Sequence, residues 1–82
     1  MEREDKTTYR SYLLYTLEMN LEKAIQSNRA AMLVKGGKEV EYNDLLVKDD
    51  AITLFQEENE VANIDLNKVY FVKWFGNKVK LV

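Results

Sequence analysis

The sequence contains no cysteine, no histidine and no proline, and only three glycines. Without cysteine it can form neither a disulfide nor a thiolate metal site. Without histidine or cysteine it also lacks a ready general base near neutral pH and a thiolate nucleophile. We therefore expect a protein that is not an enzyme and that holds no metal or cofactor.

Long hydrophobic runs are missing as well. No apolar segment approaches the ~20 residues that a membrane-spanning helix needs, and residues 1–12 carry too many charges for a signal peptide. Gly36-Gly37 precedes a predicted strand, whereas a phosphate-binding loop leads into a helix. We therefore expect a cytoplasmic protein with no membrane partner and no small-molecule substrate.

The residues that are present are typical of one small folded domain. Of the 82 residues, 46% are apolar and 32% are charged, which argues against disorder. A chain of this length buries roughly 60% of the surface of its unfolded state. Its own core therefore provides only modest stability.

An amphipathic helix is predicted over residues 7–28. Apolar residues recur there at spacings of three and four, with polar residues on the opposite side. Thr7 or Thr8 is the expected N-cap, and residues 27–29 (Ser-Asn-Arg) are the expected exit. The apolar side consists of Leu13, Leu14, Leu17, Leu21, Ala24 and Ile25, widened by Tyr9, Tyr12 and Tyr15.

From Ala30 onward the apolar residues alternate, which predicts strands. Gly36-Gly37 predicts a tight turn after the first strand, and Asn43-Asp44 a bend or bulge in the second. Residues 65–68 predict a single helical turn before the fifth strand. The predicted strands are AAMLVK, KEVEY with LLV, AITLFQ, VANI and VYFVKWF, and KVKLV is a sixth candidate.

These elements predict a single domain that is mainly β with one N-terminal helix. Short strands and hairpin-length loops favour a small, strongly bent, five-stranded antiparallel barrel over residues 30–82. This layout, with a tight turn after strand one, resembles the Sm-like (SH3-like barrel) family and, within it, the Hfq-like RNA chaperones of bacteria and phage. The resemblance covers residues 12–75, through MLVKGGK at the first strand and AITLFQEENEVANIDLNKVYFV over the third to fifth.

The chain departs from the family pattern in three features, of which one is that no Asn follows Asp49-Asp50 in the loop where other Sm-like proteins place an Asp and an Asn that bind a base. Residues 40–42 (Val-Glu-Tyr) occupy the part of strand two where Sm-like proteins usually carry a second glycine. Leu66 and Asn67 take the positions of the Lys-His pair with which the bacterial chaperones contact uridine. The sequence therefore predicts that the uridine pocket of the family is missing.

The segment KVYFVKWFGNKVKLV is apolar on both faces. Read as a strand, residues 69–75 place one set of Val and Phe side chains on one side, and Tyr, Val and Trp on the other. A bare strand of this kind is prone to aggregation, and the resemblance implies that strand five pairs with strand four of a neighbouring subunit. We therefore predict a homo-oligomer, a ring of five or six subunits. Its predicted interface contains Val61, Ile64, Val69, Tyr70 and Val72. The alternative is a monomer in which the helix covers one face.

Charge is distributed unevenly along the chain. Residues 36–65 carry two lysines and nine acids, a net charge of −7, whereas residues 66–82 carry four lysines and no acid. Lysines interleaved with aromatic residues can bind phosphates and stack on bases, although such lysines also arise simply as the solvated face of a strand. The candidate RNA-binding residues are Lys68, Lys73, Lys78 and Lys80 for phosphate, with Tyr70, Trp74 and Phe75 for stacking.

Two functions remain open from the sequence. One is weak binding of single-stranded RNA through this basic, aromatic surface. The other is a structural or adaptor homo-oligomer that has lost RNA binding.

Overall fold

A computed structural model describes residues 5–82 of the chain, with side chains from residue 9 onward. The described chain is mainly β with one N-terminal helix, as the sequence predicts. The elements are α1 Asp5–Gln26, β1 Ala31–Lys35, β2 Lys38–Tyr42, β3 Asp44–Lys48, β4 Ala51–Gln56, β5 Asn59–Asp65, β6 Val72–Phe75 and β7 Lys78–Leu81.

Helix α1 is displaced toward the N-terminus from its predicted bounds. It already includes Thr7 and Thr8, so the predicted N-cap is wrong. The exit is confirmed: Asn28 has a φ of 60°, and the amide of Arg29 donates to the carbonyl of Ala24 at 2.7 Å. This left-handed residue and back-bond satisfy the last helical carbonyls, as in a Schellman motif, and asparagine tolerates that conformation better than most residues.

The face of α1 that meets the sheets is narrower and more polar than predicted. Thr16 and Asn20 are buried there, between apolar residues of the same face. Tyr12, Tyr15 and Ile25, which the sequence places on the apolar side, are each more than half exposed. The fully buried apolar residues of the helix are Leu13, Leu17 and Ala24, and the partly buried residues that pack against the core are Tyr9, Leu14 and Leu21.

The seven strands form two open sheets, and the predicted closed antiparallel barrel is not confirmed. One sheet has the order β2-β1-β7-β6 and the other β3-β4-β5. Strand β1 pairs with β7 in parallel, from Met32 opposite Lys78 to Lys35 opposite Leu81. The sixth candidate strand is therefore real, and it lies inside the four-stranded sheet.

Residue Asn43 carries the chain from one sheet to the other. Its amide donates to the carbonyl of Phe55 at 2.7 Å, and β2 ends one residue before it while β3 begins one residue after. The predicted bend is confirmed, and it divides the second predicted strand into two. Both sheets and α1 then share one core, which includes Leu33, Val79, Ile52 and Leu54.

Strand β6 is shorter than the predicted fifth strand. The amide of Tyr70 donates to the hydroxyl of Tyr9 on α1 at 2.7 Å, so Val69 and Tyr70 lie outside the regular strand. Before them, the amide of Asn67 donates to the Asp65 carboxylate at 2.8 Å, and the amide of Lys68 to the Asp65 carbonyl at 3.3 Å. Residues 65–68 therefore form a hydrogen-bonded turn, so the predicted break is confirmed, but no helix is present there and the predicted helical turn is wrong.

Within residues 5–82, no helix combines the length and the apolar character that crossing a bilayer requires.

A candidate nucleic-acid interface on the four-stranded sheet

The four-stranded sheet has one face against the core and one face away from it. Leu33, Val79 and Leu81 are buried on the core side, where α1 packs. Neighbouring residues in each strand point to the opposite side because side chains alternate along a strand. We call that opposite side the outer face. Its residues are Phe71, Lys73 and Phe75 on β6 and just before it, Lys78 and Lys80 on β7, Met32 and Val34 on β1, and Glu39 and Glu41 on β2.

The strand register arranges the outer face in rows. Lys73 lies opposite Lys80, and Val34 lies beside Lys80 on the other side. Phe75 lies opposite Lys78 in the next row. Side chains directly across neighbouring strands have Cβ atoms about 4.5–5.5 Å apart. The three outer-face lysines therefore form one cluster bordered by aromatic rings.

Two phenylalanines project from this face into solvent. The side chain of Phe71 is 67% exposed and that of Phe75 is 52% exposed. They lie about 13 Å apart along the strand, with Lys73 between them. The Lys73 ammonium lies 5.9 Å from the centroid of the Phe71 ring. Exposed rings next to cations are the arrangement on which bases stack while phosphates pair with charge.

Charge divides the outer face into two halves. The β6–β7 half carries Lys73, Lys78 and Lys80, and the β2 edge carries Glu39 and Glu41. The Lys78 ammonium donates to the Glu39 carboxylate at 2.8 Å, so one cation and one acid neutralise each other at the boundary. The positive field of the face is therefore concentrated on Lys73 and Lys80.

Trp74 lies on the core side of β6, away from the lysine cluster. Its indole N–H donates to the side-chain oxygen of Asn20 at 3.0 Å. Asn20 in turn donates to the Tyr42 hydroxyl at 3.2 Å and to the carbonyl of Asn77 at 3.1 Å. Trp74 thus holds the sheet to α1, and the rings that accompany the lysines on the outer face are Phe71 and Phe75.

Two tyrosine hydroxyls that anchor the fold have raised pKa values. Burial raises the pKa of Tyr42 to about 12, against a smaller opposing effect of its hydrogen bond with Asn20. The Tyr42 hydroxyl also donates to the carbonyl of Leu17 at 2.7 Å. Burial raises the pKa of Tyr9 too, although its hydrogen bond with the Tyr70 amide acts in the other direction. Both hydroxyls are protonated at neutral pH and serve structure, that of Tyr42 as a donor to Leu17 and that of Tyr9 as an acceptor from the Tyr70 amide.

The structure does not bring the remaining predicted site residues together at one place. Lys68 lies in the turn before β6, at one end of the sheet, where it is near Lys80 but not on the outer face. Ile64 is completely buried inside the fold, so its side chain has no surface with which to form the predicted interface. Val69 is 77% exposed. Val61, Tyr70 and Val72 are half-buried against the core.

Acidic side chains gather at the β3–β4 turn and the end of β5. Asp49, Asp50 and Asp65 line a shallow depression together with Lys48. Asp50 is already engaged, because its carboxylate accepts from Arg10 at 2.9 Å. Among the described side chains, no three potential ligands converge as a metal site requires.

Sequence reasoning overlooked Phe71 as a stacking residue. Phe71, Lys73 and Phe75 are two residues apart along the strand, so the alternation of side chains places all three on the same face. This spacing could have identified Phe71 from the sequence. The sequence does not single out Phe71, because the side chains on both faces of this strand are apolar. Which face lies against the core is decided by packing against α1.

Comparison with protein-family models, with curated proteins and with solved structures finds no match.

Proposed function

We propose that the outer face of the four-stranded sheet binds single-stranded RNA. The observation that carries this proposal is the exposure of Phe71 and Phe75 on the same face as Lys73, Lys78 and Lys80. Antiparallel or mixed sheets with exposed aromatic rings are a recurring platform for unstacked bases. The absence of histidine and cysteine fits a binding role better than a catalytic one.

Two energetic contributions support binding at this face. Stacking of one base on an aromatic ring is worth about 1–3 kcal/mol. Each lysine–phosphate pair releases condensed counterions, which favours binding at low salt and weakens it as salt rises. With two rings and three lysines, one of them shared with Glu39, a single subunit binds weakly and with a strong salt dependence.

The charge pattern also sets the path of the RNA. Glu39 and Glu41 on β2 repel phosphates, whereas β6 and β7 attract them. The strand of RNA therefore follows β6 and β7, with bases against Phe71 and Phe75. Phosphate contacts of this kind position the backbone without reading sequence. We expect little discrimination between U-rich and A-rich RNA.

The test is a titration with fluorescein-labelled U-rich and A-rich RNA decamers over a series of salt concentrations. Replacing Phe71 and Phe75 by alanine should lower affinity about tenfold or more without changing the salt slope, because stacking releases no counterions. Replacing Lys73 and Lys80 by alanine should reduce the slope of log K against log salt by about 0.7 per lost contact.

The matched control is Leu46→Ala with Lys48→Ala. Both side chains are exposed on β3, in the other sheet, and the pair likewise removes apolar area and positive charge. This variant should bind as the parent protein does. If neither RNA binds at low salt, or if the control variant loses as much affinity as the outer-face variants, RNA binding at this face is wrong.

A structural or adaptor homo-oligomer is the second candidate function, and the edge of β6 favours it. Phe71 and Val82 exchange both backbone hydrogen bonds, at 2.9 and 3.0 Å. Because this pattern alternates in an antiparallel pair, the backbone groups of Val72 and Trp74 point away from β7. In the described sheets both β6 and β5 are edge strands.

An Sm-like relationship would make these two edges complementary. In that family the strand corresponding to β6 pairs with the strand of the next subunit that corresponds to β5. The N-terminal helix, the Gly36-Gly37 turn and the bend at Asn43 support the relationship. The parallel β1–β7 pair and the two open sheets are departures that a ring of this type would have to accommodate.

A further inference from the structure

An open cavity lies at the end of the four-stranded sheet, beside the outer face. Its volume is about 730 Å³, within the range of about 300–1,000 Å³ that is usual for small-ligand sites. Three segments build its walls: the Gly36-Gly37 turn after β1, residues 68–70 before β6, and the end of β7. These segments are far apart in sequence, and the parallel pairing of β1 with β7 brings them together.

The cavity is electropositive. The ammonium groups of Lys35, Lys68 and Lys80 belong to residues that line it. Of the described residues that line the cavity, one is acidic. This residue is Glu39, and its carboxylate already pairs with the Lys78 ammonium at 2.8 Å. Three cations around one concave site favour a ligand that carries a doubly charged anionic group, such as a phosphate monoester.

One wall of the cavity is an aromatic ring held in place. Tyr70 is half-buried, and its amide is fixed by the Tyr9 hydroxyl at 2.7 Å. The Lys35 ammonium lies 5.9 Å from the centroid of the Tyr70 ring. A planar base can take the place of the Lys35 ammonium over this ring while its phosphate pairs with the lysines. The opposite wall contains Gly36 and Gly37, at which a Cβ would meet no atom within 4 Å, so the wall is open to a ligand.

We propose that this cavity binds a nucleoside monophosphate group, with the base against Tyr70 and the phosphate among Lys35, Lys68 and Lys80. The group is either a free mononucleotide or the phosphorylated end of an RNA strand. Lys80 lies both in the cavity and on the outer face, so the cavity continues the path proposed for RNA. If the ligand is the phosphorylated end of an RNA strand, the inference rests on the proposed function and places that end of the RNA in the cavity.

The experiment compares four probes: UMP, uridine, and one U-rich RNA hexamer with either a 5′-phosphate or a 5′-hydroxyl. Binding of UMP but not uridine, and tighter binding of the phosphorylated hexamer, are expected for the parent protein. Lys68→Ala should weaken the phosphorylated hexamer about tenfold and leave the hydroxyl hexamer unchanged, because Lys68 lies off the outer face. Lys35→Gln is the second variant, with the same expectation. Lys48→Ala is the charge-matched control.

The outcomes separate the two proposals. If both hexamers bind equally, to the parent and to both lysine variants, and UMP does not bind, the cavity proposal is overturned while RNA binding at the outer face stands. If UMP binds and is weakened in the lysine variants but neither hexamer binds, the cavity is a mononucleotide site and the RNA proposal fails. If no probe binds at low salt, both fail. Circular dichroism of each variant confirms that the fold is intact.

Discussion

The indole nitrogen of Trp74 and the carboxamide oxygen of Asn20 are 3.0 Å apart, and this bond joins the edge strand of the four-stranded sheet to α1. Asn20 is 1% exposed, and it also donates to Tyr42 and to the carbonyl of Asn77. One buried amide thus connects the helix, the end of β2 and the β6–β7 turn. A buried network in which each polar group has a partner fixes a unique arrangement of the elements around it.

Replacing Asn20 by leucine should destabilise the protein by about 2–4 kcal/mol. The variant leaves the Trp74 N–H without its partner and removes the Asn20 donor from the Asn77 carbonyl, which keeps the Met32 amide at 2.9 Å. Each lost buried hydrogen bond costs about 1–3 kcal/mol. Urea unfolding followed by Trp74 fluorescence measures the loss and reports the changed indole environment. Glu18→Leu, at an exposed position of the same helix, is the control. A loss no larger than that of the control would contradict a structural role for the network.

Stability should decline in alkali through Tyr42. Its pKa is raised to about 12 in the folded state from an ordinary value of about 10 in the unfolded state. The stabilisation is complete below pH 10 and is lost as pH rises through the folded pKa, because the unfolded tyrosine releases its proton first. Between pH 9 and pH 11 the parent protein should lose about 1.3 kcal/mol relative to Tyr42→Phe. Parallel curves for the two proteins, from urea unfolding at each pH, would refute this.

The β4–β5 turn should be improved by glycine at position 58. Glu57 and Glu58 have φ angles of 53° and 70° in a two-residue hairpin loop, a conformation that asparagine and glycine adopt more easily. Glu58→Gly should raise the free energy of unfolding by about 1 kcal/mol. Glu58→Ala removes the same charge but keeps the Cβ, so it should give none of this gain. Gly37→Ala, at a φ of 80° in the β1–β2 turn, should lower stability by a similar amount.

If the protein assembles through the edge of β6, Val72→Pro should dissociate it. The Val72 amide points away from β7, so proline removes a donor to a neighbouring subunit while it spares the ladder inside the subunit. Lys73→Pro, whose amide faces β7, is the contrasting variant and should destabilise the subunit itself. Light scattering at micromolar concentration gives the mass. A parent protein that is monomeric under these conditions contradicts the predicted ring.

Local structure was predictable wherever the signal is local. The helix exit at Asn28, the Gly36-Gly37 turn, the bend at Asn43 and the turn at Asp65 each depend on a residue that tolerates left-handed backbone or bonds to its own backbone. The change of apolar period at Ala30 separates helix from strands correctly. These features follow from a few neighbouring residues.

Pairing between distant segments was not predictable in the same way. Nothing in the composition of KVKLV indicates that it lies parallel to β1, since alternation gives the faces of a strand and not its partners. The buried polar positions Thr16 and Asn20 interrupt the apolar pattern of α1, so periodicity placed Tyr12 and Tyr15 at the core in their stead. The candidate site could therefore be predicted only in part. The lysine cluster is visible in the sequence, but the aromatic residues beside it depend on which face of the sheet α1 covers.

The position of β7 has a consequence for biosynthesis. The strand follows the other six described strands in sequence, and it lies between β1 and β6 in the interior of its sheet. While the ribosome is still making residues 72–81, the edge of β1 that later pairs with β7 has no partner. The part of the sheet on which α1 packs is also incomplete. The helix, the β1–β2 hairpin and the three-stranded sheet can form early, but the four-stranded sheet closes only after β7 emerges. Contacts of such long sequence separation are slow to form, so the nascent chain exposes apolar strand edges until β7 has emerged and paired.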